Sequence, residues 1–109
     1  MPTSLSGKSF DTEIMKTKNI AVVQFKTEWS GACQIVAPLV KELAKAYKET
    51  VDFFSIDADE EKELLKKYGI RELPTLLFFK GGELIDHAVG LMPRNKLIAK
   101  IETALTTTN

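Results

Sequence analysis

Apolar positions follow two rhythms along this chain. Ile20-Ala21-Val22-Val23-Gln24-Phe25, Val51-Asp52-Phe53-Phe54-Ser55-Ile56-Asp57 and Thr75-Leu76-Leu77-Phe78-Phe79 are short, nearly continuous runs rich in β-branched and aromatic residues. Runs of this length and make-up suit strands buried on both faces. Elsewhere the apolar residues recur at helical spacing. Val36, Leu39, Val40, Leu43 and Tyr47 mark one side of a helix expected from Ala32 to Glu49, with Lys41, Glu42, Lys45, Lys48 and Glu49 on its other faces. Pro38 lies inside that helix, where it removes one backbone bond and kinks the axis.

The remaining segments complete an alternating α and β pattern. Leu5 to Lys8 reads as a short edge strand. Ser9 is then the expected cap of a first helix, with Asp11 and Glu13 in its first turn, Phe10, Ile14 and Met15 as its apolar face, and Lys18-Asn19 at its end. Ala58 to Tyr68 is a short charged helix with Leu64, Leu65 and Tyr68 facing inward and Gly69 as its stop. Lys80-Gly81-Gly82-Glu83 is a hairpin turn signal, and Leu84 to Val89 returns as an antiparallel strand. Pro93-Arg94 opens a last helix that buries Leu97, Ile98, Ile101 and Leu105, with Thr106 to Asn109 as a frayed polar tail. The crossover from Phe25 through the long helix to Val51 makes a right-handed βαβ unit.

Composition narrows the chemistry. The 109 residues make one domain, 1–109, with enough chain for a single core. Lys plus Arg and Asp plus Glu both number 15, so no net charge gathers phosphates, and neither nucleic acid nor an anionic membrane is an expected partner. Met1 to Lys8 contains no apolar core of the kind a signal peptide needs, and no run reaches the length of a membrane span. A cytoplasmic setting is therefore expected. There is one cysteine and one histidine, His87, so neither an internal disulfide, a dithiol zinc site nor any other metal or cofactor is expected. His87, on an edge strand, reads as a surface residue.

The stretch Glu28-Trp29-Ser30-Gly31-Ala32-Cys33-Gln34 stands between the first long strand and the long helix. Ser30 is a good N-cap, because its hydroxyl can accept from an unpaired amide of the first turn. Cys33 falls in that first turn, near the positive end of the helix dipole, which favours negative charge. This stretch resembles the thioredoxin signature Trp-Cys-Gly-Pro-Cys, with Ser30 at the first cysteine and Ala32 at the proline. Ser9-Phe10-Asp11-Thr12-Glu13, Tyr68-Gly69-Ile70-Arg71, Pro74-Thr75, Phe79-Lys80-Gly81-Gly82-Glu83 and Val89-Gly90 extend the resemblance from about Leu5 to about Leu105. It implies an α/β thioredoxin fold, with a central mixed sheet of about five strands flanked by about four helices.

The resemblance also implies roles, and here the chain departs from the family. In thioredoxins an exposed thiolate attacks the substrate disulfide and a second thiol resolves the mixed disulfide. Ser30 occupies the attacking position and Cys33 the resolving one. An unassisted hydroxyl is essentially un-ionised at neutral pH, and no histidine is placed to activate it. Gln24 falls where thioredoxins often carry a buried aspartate that moves protons to and from the second cysteine. It cannot titrate, and as a structural residue it is expected to find hydrogen-bond partners at the sheet. Phe53 falls where many members place a lysine near that acid, and a phenyl ring there packs.

The implied groove is better kept. Leu73-Pro74 is expected to be cis, and Trp29, Gly31, Ala32, Leu73, Pro74, Gly90 and Leu91 would bind an extended peptide against the free backbone groups of residue 73. Three readings follow. The first is a protein without dithiol reductase activity that binds a protein or peptide partner in the groove. The second is a monothiol protein forming mixed disulfides through Cys33 with glutathione or a partner cysteine. The third is a Cys-to-Ser variant of an active protein-disulfide reductase.

Overall fold

Five strands and four helices make up the computed structural model, which describes residues 2–106. The strands are β1 (Thr3–Leu5), β2 (Ile20–Lys26), β3 (Val51–Asp57), β4 (Thr75–Lys80) and β5 (Glu83–Val89), and the helices are α1 (Gly7–Lys16), α2 (Gly31–Ala46), α3 (Lys62–Lys67) and α4 (Arg94–Thr106). They form one mixed sheet in the order β1-β3-β2-β4-β5. β1, β3 and β2 run parallel, while β4 is antiparallel to both β2 and β5.

The continuous apolar runs are explained by what covers them. Ile20 to Phe25 is buried at every position. Successive side chains point to opposite faces, so both faces need a cover. On one face Val22, Phe53, Leu76 and Phe78 pack with Val36, Val40 and Leu43 of α2 and Leu97 and Ile101 of α4. On the other, Val23, Phe25, Phe54 and Leu77 pack with Phe10 and Ile14 of α1 and Leu64 of α3. Ile98 and Leu105 are half-buried against the first cluster, and Leu65 and Tyr68 against the second.

Several boundaries differ from those the sequence suggests. Ser6, not Ser9, caps α1: its extended backbone and hydroxyl receive the Ser9 N–H, while the Ser9 hydroxyl receives the Ser6 N–H. This reciprocal pair is a capping box, and it uses the two serines as partners. Gly7 and Lys8 therefore belong to the helix rather than to β1, and Asp11 and Glu13 lie beyond its first turn. Met15 is 65% exposed and stands outside the apolar face, which consists of Phe10 and Ile14. α2 stops at Ala46, three residues before Glu49, and α3 begins only at Lys62. Thr106 is the last residue of α4, and the rest of the expected polar tail lies outside the described residues.

The β4–β5 hairpin follows its turn chemistry. Gly81 and Gly82 have φ of 61° and 81°, the left-handed pair that a tight two-residue turn requires. This hairpin brings Val89 beside Thr75 and so sets Gly90 next to Pro74, where the Gly90 N–H donates to the Pro74 carbonyl at 2.8 Å.

Candidate functional site: a lone thiol behind a capping serine

β2 ends at Lys26, and Thr27 to Ser30 carry the chain to the start of α2. The turn is tied down by polar contacts. The Thr27 hydroxyl receives the Trp29 N–H at 3.3 Å and donates to Asp59 at 2.7 Å, linking this loop to the one after β3. The Gln34 side-chain amide donates to the Glu28 carbonyl at 3.2 Å. These bonds hold the backbone while leaving the indole of Trp29 81% exposed.

Ser30 is the N-cap of α2. Its backbone is extended, and its hydroxyl oxygen accepts the Cys33 N–H at 3.2 Å. The oxygen at the position of the family's attacking sulfur is thus engaged with a helix amide. Cys33, in the first turn of α2, is a free cysteine with 3% exposure. A cavity of about 380 Å³ reaches it from the side of Lys26, Ser55 and Asp57, with Ala37 as part of the lining. A second cleft, about 460 Å³, lies at the opposite end of the sheet among Thr17, Lys48 and Asp52 and contains no thiol.

Beneath this turn the expected acid and lysine are absent, and their replacements behave differently. Phe53 packs in the apolar cluster under α2 and pairs in register with Val22. Gln24 is 2% exposed and pairs in register with Ser55, yet its side-chain nitrogen has no hydrogen-bond partner among the described residues. The expectation that Gln24 finds partners at the sheet is therefore not met at that atom. Its register partners are Leu76 on β4, which is apolar, and Ser55 on β3, whose hydroxyl makes no bond to that nitrogen.

The remaining predicted residues lie along the same end of the sheet. The Leu73–Pro74 peptide is cis. Pro74 and Gly90 are buried and joined by their backbone bond, Leu73 is half-buried, and Leu91 is 60% exposed. The pairing of Phe25 with Thr75 sets the end of β2, and hence the Trp29 turn, beside Pro74. Gly31 is exposed with open space around its α-carbon, and Ala32 is half-buried. His87 is exposed on β5, as a surface residue.

Two features were not read from sequence. Ile35, at the start of the second turn of α2, is 66% exposed; its place off the Val36–Val40–Leu43 stripe was the available signal. Glu72 lies across Gly90 so closely that a β-carbon at Gly90 would collide with its carboxylate. Nothing local in the sequence marks that contact. The electrostatics of the neighbouring β3–α3 loop are acidic: a hydrogen bond with Asp57, and then the charge of Asp57, hold the Glu60 carboxyl above its ordinary range.

No group of His, Cys, Asp and Glu side chains among the described residues is arranged to hold a metal ion. Nor is any helix among them long and apolar enough to cross a membrane.

Comparison with known proteins agrees with this geometry. The thioredoxin family model matches residues 1–103. The chain is similar to thioredoxin of Rickettsia bellii, 37% identical over 98 residues covering 90% of this chain and 93% of the relative. It is similar to thioredoxin 1 of a Nostoc species, 34% identical over 93% of this chain and 94% of that one. It also resembles the chloroplastic M-type thioredoxin of Pisum sativum, 36% identical over 90% of this chain and 57% of that longer protein. A five-stranded mixed sheet, a turn-capped α2 carrying Cys33 and a family match over nearly the whole chain lead to one conclusion: this protein belongs to the thioredoxin family of thiol-disulfide oxidoreductases.

Proposed function

We propose that this chain is a thioredoxin-fold protein without dithiol reductase activity, which uses the groove beside Pro74 to bind a protein partner. One observation carries the reading: the lone Cys33 is buried behind Ser30, whose oxygen caps the helix. Dithiol exchange needs an accessible thiolate to attack and a second sulfur to resolve. Ser30 supplies neither a sulfur nor a base-activated oxygen. The groove walls, by contrast, keep an exposed indole at Trp29 and an exposed apolar side chain at Leu91.

The cavity behind Cys33 favours a second reading, in which this thiol forms a mixed disulfide. A Cys33 thiolate would attack glutathione disulfide, one S–S bond would break as another forms, and a glutathione thiolate would leave. A partner's disulfide could take the same place. The third reading, a Cys-to-Ser variant of an active reductase, has less support, because Gln24, Ala32 and Phe53 also depart from the family pattern.

Thiol modification separates the first two. With a bulky aromatic disulfide reagent near neutral pH, the folded protein is expected to react slowly and the unfolded chain rapidly. Equal, rapid modification of both forms would overturn the shielded-thiol reading and favour the mixed disulfide.

A further inference from the structure

We propose that the outer edge of β5, where it meets α4, binds an extended acidic segment of a protein partner, and that Lys96 selects the acid. The site shares Leu91 with the groove proposed above but does not depend on that reading.

A cavity of about 270 Å³ lies between β5 and the first half of α4. Three consecutive residues of β5, His87, Ala88 and Val89, line it. Successive side chains of a strand point to opposite faces, so a cavity that touches all three runs along the strand's edge. β5 is last in the sheet order, and no strand lies beyond that edge among the described residues. An open edge offers backbone donors and acceptors to an extended segment. Val89 and Leu91, both exposed, add apolar contact from the same lining. The volume falls below the roughly 300 Å³ at which pockets for whole small molecules begin. It suits a side chain of a longer partner instead.

The charge lining this cavity has one sign. Lys96 and Lys100, four residues apart on α4, lie on one side of that helix, and no Asp or Glu among the described residues lines the cavity with them. Other clefts mix their charges: Arg71 lines one with Glu72, Lys26 a second with Glu28 and Asp57, and Lys16 and Lys48 a third with Glu13 and Asp52. The acid beside the cavity is already engaged. Asp86 receives the Lys100 ammonium on both carboxylate oxygens at 3.2 Å and the His87 N–H at 2.8 Å, so Asp86 and Lys100 satisfy each other. Arg94, at the start of α4, is held by Glu42 at 2.6 Å. Lys96 is exposed and makes no ion pair among the described residues. One free ammonium beside apolar side chains and an open strand edge fits a single carboxylate on an extended chain that also carries an apolar residue. A polyphosphate, whose binding grows with the number of cations it meets, is the poorer match.

Amide NMR titration with three end-blocked tetrapeptides tests this. Each peptide holds two leucines, and the other two residues are glutamate, serine or lysine. The amides of Ala88, Lys96 and Lys100 report the cavity, and the indole of Trp29, the chain's sole tryptophan, reports the groove separately. At low salt the glutamate peptide is expected to shift the cavity amides and to bind about three-fold more tightly than the serine one, the scale of an exposed ion pair, with the lysine peptide weakest. Added salt should erase the difference. Lys96→Gln should remove most of the advantage, and Lys96→Glu should reverse the order. Equal binding of all three peptides, or shifts confined to the Trp29 indole, would overturn the proposal while leaving the groove reading intact. Acetate producing the same shifts at the same concentration would show that a lone carboxylate suffices and would overturn the peptide as occupant. Cavity shifts that grow with protein concentration alone would assign the edge to a second copy and overturn it too.

Discussion

A hydroxyl and a thiol differ by one atom, and Ser30 carries the hydroxyl. Its oxygen accepts the Cys33 N–H at 3.2 Å, a structural task that a hydroxyl performs well. Restoring sulfur with Ser30→Cys is expected to recover only weak disulfide reductase activity, because Gln24 cannot relay a proton and Phe53 offers no charge beneath the turn. Activity at the level of an ordinary thioredoxin in that variant would show that Gln24 and Phe53 matter little and would favour the Cys-to-Ser reading. Gln24 makes its own prediction. A buried amide nitrogen without a protein partner costs free energy, so Gln24→Leu should raise stability by about 1 kcal/mol in denaturant unfolding. A loss of that size would mean that the amide is satisfied.

At the scale of elements, much was legible because the determinants are local. The continuous run from Ile20 to Phe25, the helical stripe from Val36 to Leu43 and the Gly81-Gly82 turn each state their structure within a few residues. Where two neighbouring residues could each do the same job, the pattern was ambiguous. Ser6 and Ser9 are both competent caps, and their reciprocal bonding, invisible in a list of propensities, moves the start of α1 by three residues. The features that escaped sequence reasoning depend on distant segments: Glu72 over Gly90, and a Gln24 nitrogen left without a partner between β3 and β4. The cap of α2 belongs to this scale. Ser30→Ala should cost about 1 kcal/mol in thermal or chemical unfolding, the ordinary worth of a lost N-cap. An unchanged stability would show that the hydroxyl is not committed to the helix.

For the whole molecule, a fold and a reaction have different requirements. The fold needs two apolar faces on one sheet and helices to cover them, and these are intact on both sides. The groove we propose draws on an indole, Leu73-Pro74 and Gly90-Leu91, which flank strand ends that pair at the carboxyl end of β2. The reaction needs two sulfurs, and the chain carries one, 3% exposed. The most direct test is turnover of a protein disulfide such as that of insulin by the unaltered chain, with a small dithiol as the electron source. The rate is expected to equal that of the dithiol alone. Catalysis at the rate of an ordinary thioredoxin, with no other thiol enzyme present, would contradict the account.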